Sequence, residues 1–517
     1  MNGAESLVAT LLGAGVDVCF TNPGTSEMHI VAALDRSPQM RCVLGLFEGV
    51  VSGAADGYAR MAGKPACTLL HLGPGFANSL ANLHNASRAH TPIVNIVGQH
   101  ATQHLLHDTP LRADIEAIAR PYANWLRTSS STSEIASDAI DAIVAARTAP
   151  GYISTLIVPA DFAWSEGGSV KALPTLTAPR RPDTNNIERV AAMLKSGLPT
   201  CLLLAGNALY GAGLAIAGQI AAVTGSKLLA PYPFARMERG AGTPLVERVP
   251  YIFEQAASML KGYRNMILVG ADAPRAYFAH PTKGTVPTPP NCEIQVLANP
   301  DEDYTEALNL LADTLQGPRA ASSTIFTKKA VRPPVPQGAI TFPGLAAAIA
   351  AVLPENAVVV DEAMTSGRGL MEATAGVGPH DWLANTGGSI GIAMPLAVGA
   401  AVACPDRCVL CLSADGSGMY TLQALWTMAR EGLNVTTVVY ANRVYGVLKR
   451  EFSSLGIGDP GPRALNLFEI GHPDLDWVSL AMGMGVPATR VSSLETFCTA
   501  LRNGFASDGP TLIQVDV

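Results

Sequence analysis

The chain has 517 residues, 48% of them apolar and 15% charged, with a net charge of −7. That length points to about three domains of roughly 150 to 200 residues each. The acidic balance excludes nucleic acid and an anionic membrane as main partners and favours a small soluble substrate. Nine scattered cysteines suit a reducing compartment. The opening residues carry Glu5 and Asp17 and lack a basic n-region, so they do not read as a signal peptide, and a cytoplasmic protein is expected.

Residues 1 to about 165 alternate helical and β-type segments, the pattern of an α/β domain with a parallel sheet. Residues 4–15 read as a helix, 17–21 as a strand, and the run Asn22-Pro23-Gly24-Thr25-Ser26-Glu27 as a loop opening the next helix. A strand over 41–47 delivers Glu48 to its C-terminal end, and Gly49, Gly53 and Gly57 then recur every fourth residue. Three glycines on one helix face cost about 1 kcal/mol each, which signals close approach by another backbone or a cofactor. Residues 68–71 form the next strand, with a loop at 72–75 leading to Asn78, and 93–97 form another. Residues 166–186 read as a linker. A second α/β unit, 187–316, has strands at 201–204 and 266–269 and a helix at 214–223. Its first turn lacks a dinucleotide fingerprint, so a structural domain is expected there rather than an FAD site. After a Pro-rich second linker at 317–342, residues 343–517 form the third unit. In it, 358–360 is a strand that runs into Asp361-Glu362-Ala363-Met364-Thr365-Ser366.

The most informative stretch is 408–445. Strands at 409–413 and 435–440 flank a helix marked by Leu422, Leu425, Trp426 and Ala429 and stopped by Gly432. Parallel strands joined by such a crossover end on one sheet edge, so Asp415 and Asn442 come side by side. Gly416 and Gly418 admit close backbone approach. A carboxylate and an amide oxygen together suit a hard divalent cation bridging a diphosphate. The cysteine spacing at 404, 408 and 411 is not read as an iron–sulfur site, because Cys408 and Cys411 lie in or beside the apolar strand leading to Asp415.

Asp415-Gly416-Ser417 followed by Asn442 resembles the thiamine diphosphate (ThDP) and Mg²⁺ motif of the superfamily of pyruvate decarboxylase, acetolactate synthase and benzoylformate decarboxylase, with Ala414 in place of the usual first glycine. The resemblance implies three α/β domains with mainly parallel sheets flanked by helices: pyrimidine-binding (1–165), central (187–316) and diphosphate-binding (343–517). It implies that Asp415, the Asn442 side chain and the Val444 carbonyl hold the metal. Gly416, Ser417 and Tyr445 would border the cofactor, and Thr365 and Ser366 would bond its diphosphate, although these two are equally plausible as helix caps. Gly388 and Ser389 would lie along the thiazolium ring, with Ile390 as the bulky residue that keeps ThDP bent. Glu48 matches the catalytic glutamate that exchanges a proton with the aminopyrimidine.

The NPG loop is similar to that of benzoylformate decarboxylases. Thr25 takes the place of their active-site serine, Asn22 and Pro23 lie beside the cofactor, and Asn78 contacts it. His71 and His280 correspond to their two histidines, against the plainer reading of a satisfied core histidine for His71 and of loop misalignment for His280. Val447 and Leu448 would wall the substrate pocket. Val447 stands where benzoylformate decarboxylases that admit a phenyl ring have alanine, which favours a short aliphatic 2-oxo acid. The implied activity is decarboxylation of a 2-oxo acid to an enamine that is ligated to a second carbonyl or released as an aldehyde. A homodimer or homotetramer with sites between subunits is expected. Two competing classes are a catalytically silent paralogue and a flavin-dependent oxidase.

Overall fold

The computed structural model describes residues 1–315 and 330–517. Three sheets organise these residues, built from short apolar and β-branched runs. Most strands are buried on both faces, as parallel strands covered by helices must be. The first sheet contains β1 (Val18–Asn22), β2 (Arg41–Leu44), β3 (Ala66–Leu70), β4 (Ile93–Gln99), β5 (Trp125–Thr128) and β6 (Ile153–Pro159), all parallel in the order β2-β1-β3-β4-β6-β5. The second contains β7 (Thr200–Leu204), β8 (Lys227–Ala230), β10 (Glu247–Arg248), β11 (Asn265–Val269) and β12 (Glu293–Ala298), parallel in the order β10-β8-β7-β11-β12. The strand between them in sequence, β9 (Arg236–Arg239), leaves this unit.

The third sheet contains β13 (Val358–Asp361), β14 (His380–Ala384), β15 (Val409–Ala414), β16 (Val435–Ala441), β17 (Ala488–Val491) and β18 (Thr511–Asp516), parallel in the order β17-β18-β16-β15-β13-β14. β9 closes its far edge antiparallel to β14, with Met237 opposite Trp382 and Arg236 ion-paired to Asp381 at 2.7 Å. A strand from the interval expected for the central unit thus belongs to the third sheet. Its four residues carry no periodic signal long enough to announce that pairing.

Taken from β13 onward, the third sheet repeats the first strand for strand. In each, the second strand lies on one side of the first, the third and fourth lie on the other, and the sixth precedes the fifth at the edge. The first and third units therefore share one topology. Both chains of strands reverse direction at one place, between β1 and β3 and between β13 and β15, and such switch points at carboxyl ends are where open α/β sheets bind ligands.

Several boundaries differ from expectation for local reasons. β2 stops at Leu44, so Phe47 is the extended cap and Glu48 the first residue of the Glu48–Ala62 helix. The stretch 72–75 is not a loop but the first turn of the Leu72–Arg88 helix. Pro74 is tolerated there because first-turn N–H groups have no helical partner in any case. The first half of the expected linker 317–342, residues 317–329, lies outside the described residues, and a helix begins at Phe342 capped by Thr341. Among the described residues no helix is long and apolar enough to cross a membrane.

The helices that follow β2 and β14 join the first and third units. Glu48–Ala62 lies against Ala393–Ala403, a helix apolar all round and buried over 393–402. Their contact is backbone on backbone. A Cβ on Gly57 would fall 2.1 Å from the Leu396 carbonyl oxygen, and one on Gly399 would fall 1.9 Å from that of Ala54. The glycine period of the first helix therefore serves helix packing at Gly53 and Gly57, while Gly49 makes room for the Phe47 ring. Gly399→Ala is expected to force the helices apart and cost about 1 to 3 kcal/mol, the usual scale of overpacking. An unchanged Tm in thermal unfolding of that variant would refute the close contact.

Candidate active site

Two groups of predicted site residues gather at the two switch points. At the first, β1 and β3 run side by side and deliver Asn22 and His71 to one edge. Asn22 donates to the Gly45 carbonyl at 2.8 Å, and the loop then passes under the His71 ring. A Cβ on Gly24 would lie 2.2 Å from that ring, so glycine is required beside Pro23. His71 Nδ1 lies 2.8 Å from Glu27 Oε2, which also accepts the Gly24 N–H at 2.7 Å. Glu27 is fully buried and its Oε1 has no hydrogen-bond partner. Burial pushes its carboxyl above the ordinary range, and His71 pulls it back. Glu48 Oε2 accepts from Asn78 at 3.0 Å, and its other oxygen lies over Gly75, where a Cβ would approach to 3.1 Å. Thr25 and Asn78 are exposed on this face.

Beside the second switch point, β15 pairs with β16 through Ala414 and Tyr440. Asp415 thereby meets the turn after β16, where its Oδ2 accepts the Arg443 N–H at 2.6 Å and its Oδ1 the Gly416 N–H at 2.8 Å. Asn442 Oδ1 accepts the Val444 N–H at 3.0 Å. Burial pushes the Asp415 carboxyl above its ordinary value against those N–H donors. Tyr445 lies on Gly416, whose Cβ would come within 2.6 Å of the ring. Thr365 packs on Gly446, and Ser366 holds a buried hydroxyl with no partner. Ser417 caps the turn by its contacts with Ala414.

The segment carrying Gly388, Ser389 and Ile390 is held from several sides. Fully buried Glu362 accepts from the N–H groups of Gly391 at 3.0 Å, Ile392 at 3.4 Å and Ala393 at 3.1 Å, and from the Asn385 amide at 3.1 Å. From the first unit, Asn85 donates to the Ser389 carbonyl at 2.8 Å and accepts its N–H at 3.2 Å. Arg60, bidentate to Asp56 with both side chains buried, reaches the Ala384 carbonyl at 2.8 Å and Thr386 at 3.1 Å. Gly388 and Gly391 both have φ above +70°, a conformation that favours glycine.

Val447 and Leu448 lie in the first turn of the Gly446–Ser454 helix, half-buried and exposed respectively. His280 meets the other end of that helix, its Nε2 2.7 Å from the Ser454 carbonyl, about 10 Å along the axis from Val447. It is not gathered with the other candidates. Tyr277 is nearer, packing toward Gly388 and against Tyr251, whose ring lies under the Arg450 guanidinium.

Among the described residues no hydrogen bond joins the Glu48–His71 group to the Asp415–Asn442 group, and none of them forms a cluster of three or more His, Cys, Asp or Glu side chains able to hold a metal. The donors at Asp415, Asn442 and Val444 are instead one carboxylate, one amide oxygen and one carbonyl. That set suits a hard, oxygen-seeking cation that keeps waters and phosphate oxygens as its other ligands. The unpartnered Ser366 hydroxyl beside it is free to meet a phosphate oxygen.

Residues 1–118 match the family described as thiamine pyrophosphate enzyme, N-terminal TPP binding domain, and residues 369–515 match its C-terminal TPP binding domain. The chain belongs to the thiamine pyrophosphate enzyme family. It is 49% identical, over all of its length and 99% of the relative's, to a Mycobacterium tuberculosis (strain H37Rv) protein provisionally named acetolactate synthase large subunit IlvX. It is 27% identical to benzoylformate decarboxylase of Pseudomonas aeruginosa, covering 97% of this chain and 96% of that one. In fold it resembles a thiamine diphosphate-dependent 4-hydroxybenzoylformate decarboxylase of Rhodococcus jostii RHA1, with TM-score 0.85, 22% identity and coverage of 100% and 99%. This ThDP enzyme therefore carries its cofactor domains at its two ends, on the two sheets of equal topology.

Glu362, Glu27, Asn85 and the Asp56–Arg60 pair were not singled out from sequence. A carboxylate directly after a parallel strand was the available signal for Glu362, and Glu27 lay inside a loop already marked. Backbone strain adds a signal that sequence does not carry. Of the five non-glycine residues with positive φ among those described, Leu72, Met364 and Arg443 adjoin His71, Thr365 and Asn442. Burial pushes the Glu362 carboxyl up to about 7, above its ordinary 4.5, and the four N–H donors oppose that shift. A folded value above the unfolded one means that its contribution to stability is fully present below about pH 4.5 and lost as pH rises through about 7. The Tm advantage of wild type over Glu362→Gln, measured on the cofactor-free protein, is expected to shrink between about pH 5 and about pH 8. An advantage that grows over that range would contradict this.

Proposed function

We propose that this ThDP enzyme is Mg²⁺-dependent and removes CO₂ from a short aliphatic 2-oxo acid, joining the remainder to a second carbonyl as an acetolactate synthase does. The observation that supports the reading is that two sheets of one topology each gather polar site candidates at the strand ends around the corresponding switch point, Glu48 with His71 in the first and Asp415 with Asn442 in the third. The relative provisionally named as an acetolactate synthase supports the ligating outcome.

Bound ThDP supplies an acidic C–H and an electron sink for the carbon that loses CO₂. Within the chain, the Glu48 carboxyl holds and returns a proton on the aminopyrimidine side, oriented by Asn78. Asp415, the Asn442 amide oxygen and the Val444 carbonyl hold Mg²⁺. Thr365, Ser366 and Ser417 offer hydroxyls to the diphosphate, and Gly416 lets it approach. Asn22, Pro23, Gly388, Ser389, Ile390 and Tyr445 form the cofactor's walls. Thr25 and His71 face the substrate, with Glu27 fixing the His71 ring.

Because the two halves share no hydrogen bond within the chain, we take the active assembly to be a homodimer or homotetramer in which two copies complete each site. Exposed Leu46, Leu106 and Leu111 border the first half, and exposed Tyr420 and Leu448 the second, as surfaces meant to be covered would. The protein is taken to work in the cytoplasm, in keeping with its nine free cysteines. A second reading, a decarboxylase that releases an aldehyde as a benzoylformate decarboxylase does, is favoured by His71 held against buried Glu27, since a histidine can deliver the closing proton.

The deciding experiment incubates the protein with ThDP, Mg²⁺ and a panel of 2-oxo acids and identifies products by mass. CO₂ release with a ligated product is expected, an aldehyde would favour the second reading, and no CO₂ from any acid would end both. Glu48→Gln is expected to leave ThDP affinity by calorimetry nearly unchanged while slowing deuterium exchange at its C2 by at least about a hundredfold. Exchange at the wild-type rate would remove Glu48 from its role. Val447→Ala is expected to raise kcat/KM for benzoylformate relative to pyruvate by roughly tenfold or more, the scale of one methylene-sized misfit. A wild type that already prefers benzoylformate, or an unmoved ratio, would refute the pocket assignment.

A further inference from the structure

Four of the ten histidines fall on one side of the first sheet edge. His71 ends β3. His100 follows β4, the neighbouring strand, whose Val97 pairs with Leu70. From there the chain enters the stretch 101–112, in which the rings of His100 and His104 lie 5.4 Å apart and those of His104 and His107 5.8 Å apart. Thr109 places its hydroxyl 3.4 Å from His100 Nε2. His100 is half-buried, whereas His104 and His107 are exposed. The row therefore runs out to solvent from the end of β4, the strand beside the one that ends in His71, and no ThDP or metal role described above uses its outer members.

Two plainer explanations fail. Core packing does not account for two exposed rings, and among the described residues no group of three or more His, Cys, Asp or Glu is placed to hold a metal. What the row has in common is a side chain that both gives and takes a proton near neutral pH. Burial, then the neighbouring His104 and His71, push the His100 imidazole below its ordinary value. That favours its neutral form, which has one nitrogen to donate and one to accept. The titratable groups facing it are His71 with Glu27 behind it, and His104.

We propose that His100, His104 and His107 form a proton relay between solvent and the Glu27–His71 pair. The proposal rests on the 2-oxo acid reading. A 2-oxo carboxylate that loses CO₂ takes up one proton per turnover. The bond to the carboxylate breaks, and its electron pair ends in a new C–H bond of an aldehyde. In ligation it ends in a new C–C bond, with the proton on the acceptor's oxygen. Either product needs a proton brought into a closed site, and the imidazole row supplies the path, with single waters bridging rings whose nitrogens do not touch.

His100→Asn and His104→Gln, each as the full chain loaded with ThDP and Mg²⁺, are assayed in weak buffer with the 2-oxo acid that wild type decarboxylates fastest. Both are expected to lose at least about tenfold in kcat with KM and ThDP affinity little changed, the lower range for a positioned proton donor. Added imidazole is expected to restore most of the loss while leaving wild type indifferent. A rate equal to wild type, or a loss that imidazole does not restore, overturns the relay. Independently of turnover, histidine NMR titration of the cofactor-free protein is expected to show the His71 midpoint moving in His100→Asn, and an unmoved midpoint overturns the coupling. If wild type decarboxylates no 2-oxo acid, the functional reading falls while this titration still decides whether the row is connected.

Discussion

The site depends on one contact, the crossing of the Glu48–Ala62 and Ala393–Ala403 helices, in which backbone meets backbone at Gly57 and Gly399. Each helix follows the second strand of its sheet, and each begins beside a piece of the site: Glu48 itself in one case, the Gly388–Ile390 segment in the other. Their separation is set by Gly57 on one helix and Gly399 on the other, because any side chain at those points would collide with a carbonyl that cannot move without its helix. Close-packed interiors transmit such displacements rather than absorb them. Gly53, fitted over Pro395, adds a third fixed point.

Around that contact the polar groups are arranged to hold rather than to react. Arg60 projects from the last turn of the first helix, is neutralised by Asp56, and spends its remaining donors on the carbonyls of Ala235 and Ala384 and the hydroxyl of Thr386. An uncompensated charge at so buried a place would cost several kcal/mol, so the pair and its acceptors act as one element that fixes 384–386. Glu362 does the same work from the other side, gathering the N–H groups that open the Ala393–Ala403 helix and leaving the preceding glycines in their left-handed conformation. A segment clamped this way stays in place when a cofactor arrives, which is what preorganisation requires.

Much of this was legible in the sequence because the chemistry sits where strands end. Apolar and β-branched runs identified β13, β15 and β16, and the crossover rule alone brought Asp415 to the turn containing Asn442. The glycine period after Glu48 announced a close approach, although not by what. Features set by tertiary contact stayed hidden. β9 is four residues long and finds its partner only because Arg236 and Met237 meet Asp381 and Trp382, more than 140 positions away. Glu362 reads in sequence like any acid after a strand, and its role appears only when three N–H groups converge on it. His280 looked like a site residue from its neighbours in the chain, yet its ring is committed to the far end of a helix.

The repeated topology bears on why the halves stand apart. If two sheets of the same strand order pack through corresponding helices, the pair has an approximate two-fold relation, and the switch points of the two sheets are carried to different places on the surface. On the proposal that two copies complete each site, this arrangement would let two chains supply two sites with the same contacts, as an isologous interface requires. It also explains where the imidazole row can run. It leaves the first sheet at β4, on the side of β3 away from β1, whose end carries the loop with Pro23 and Thr25.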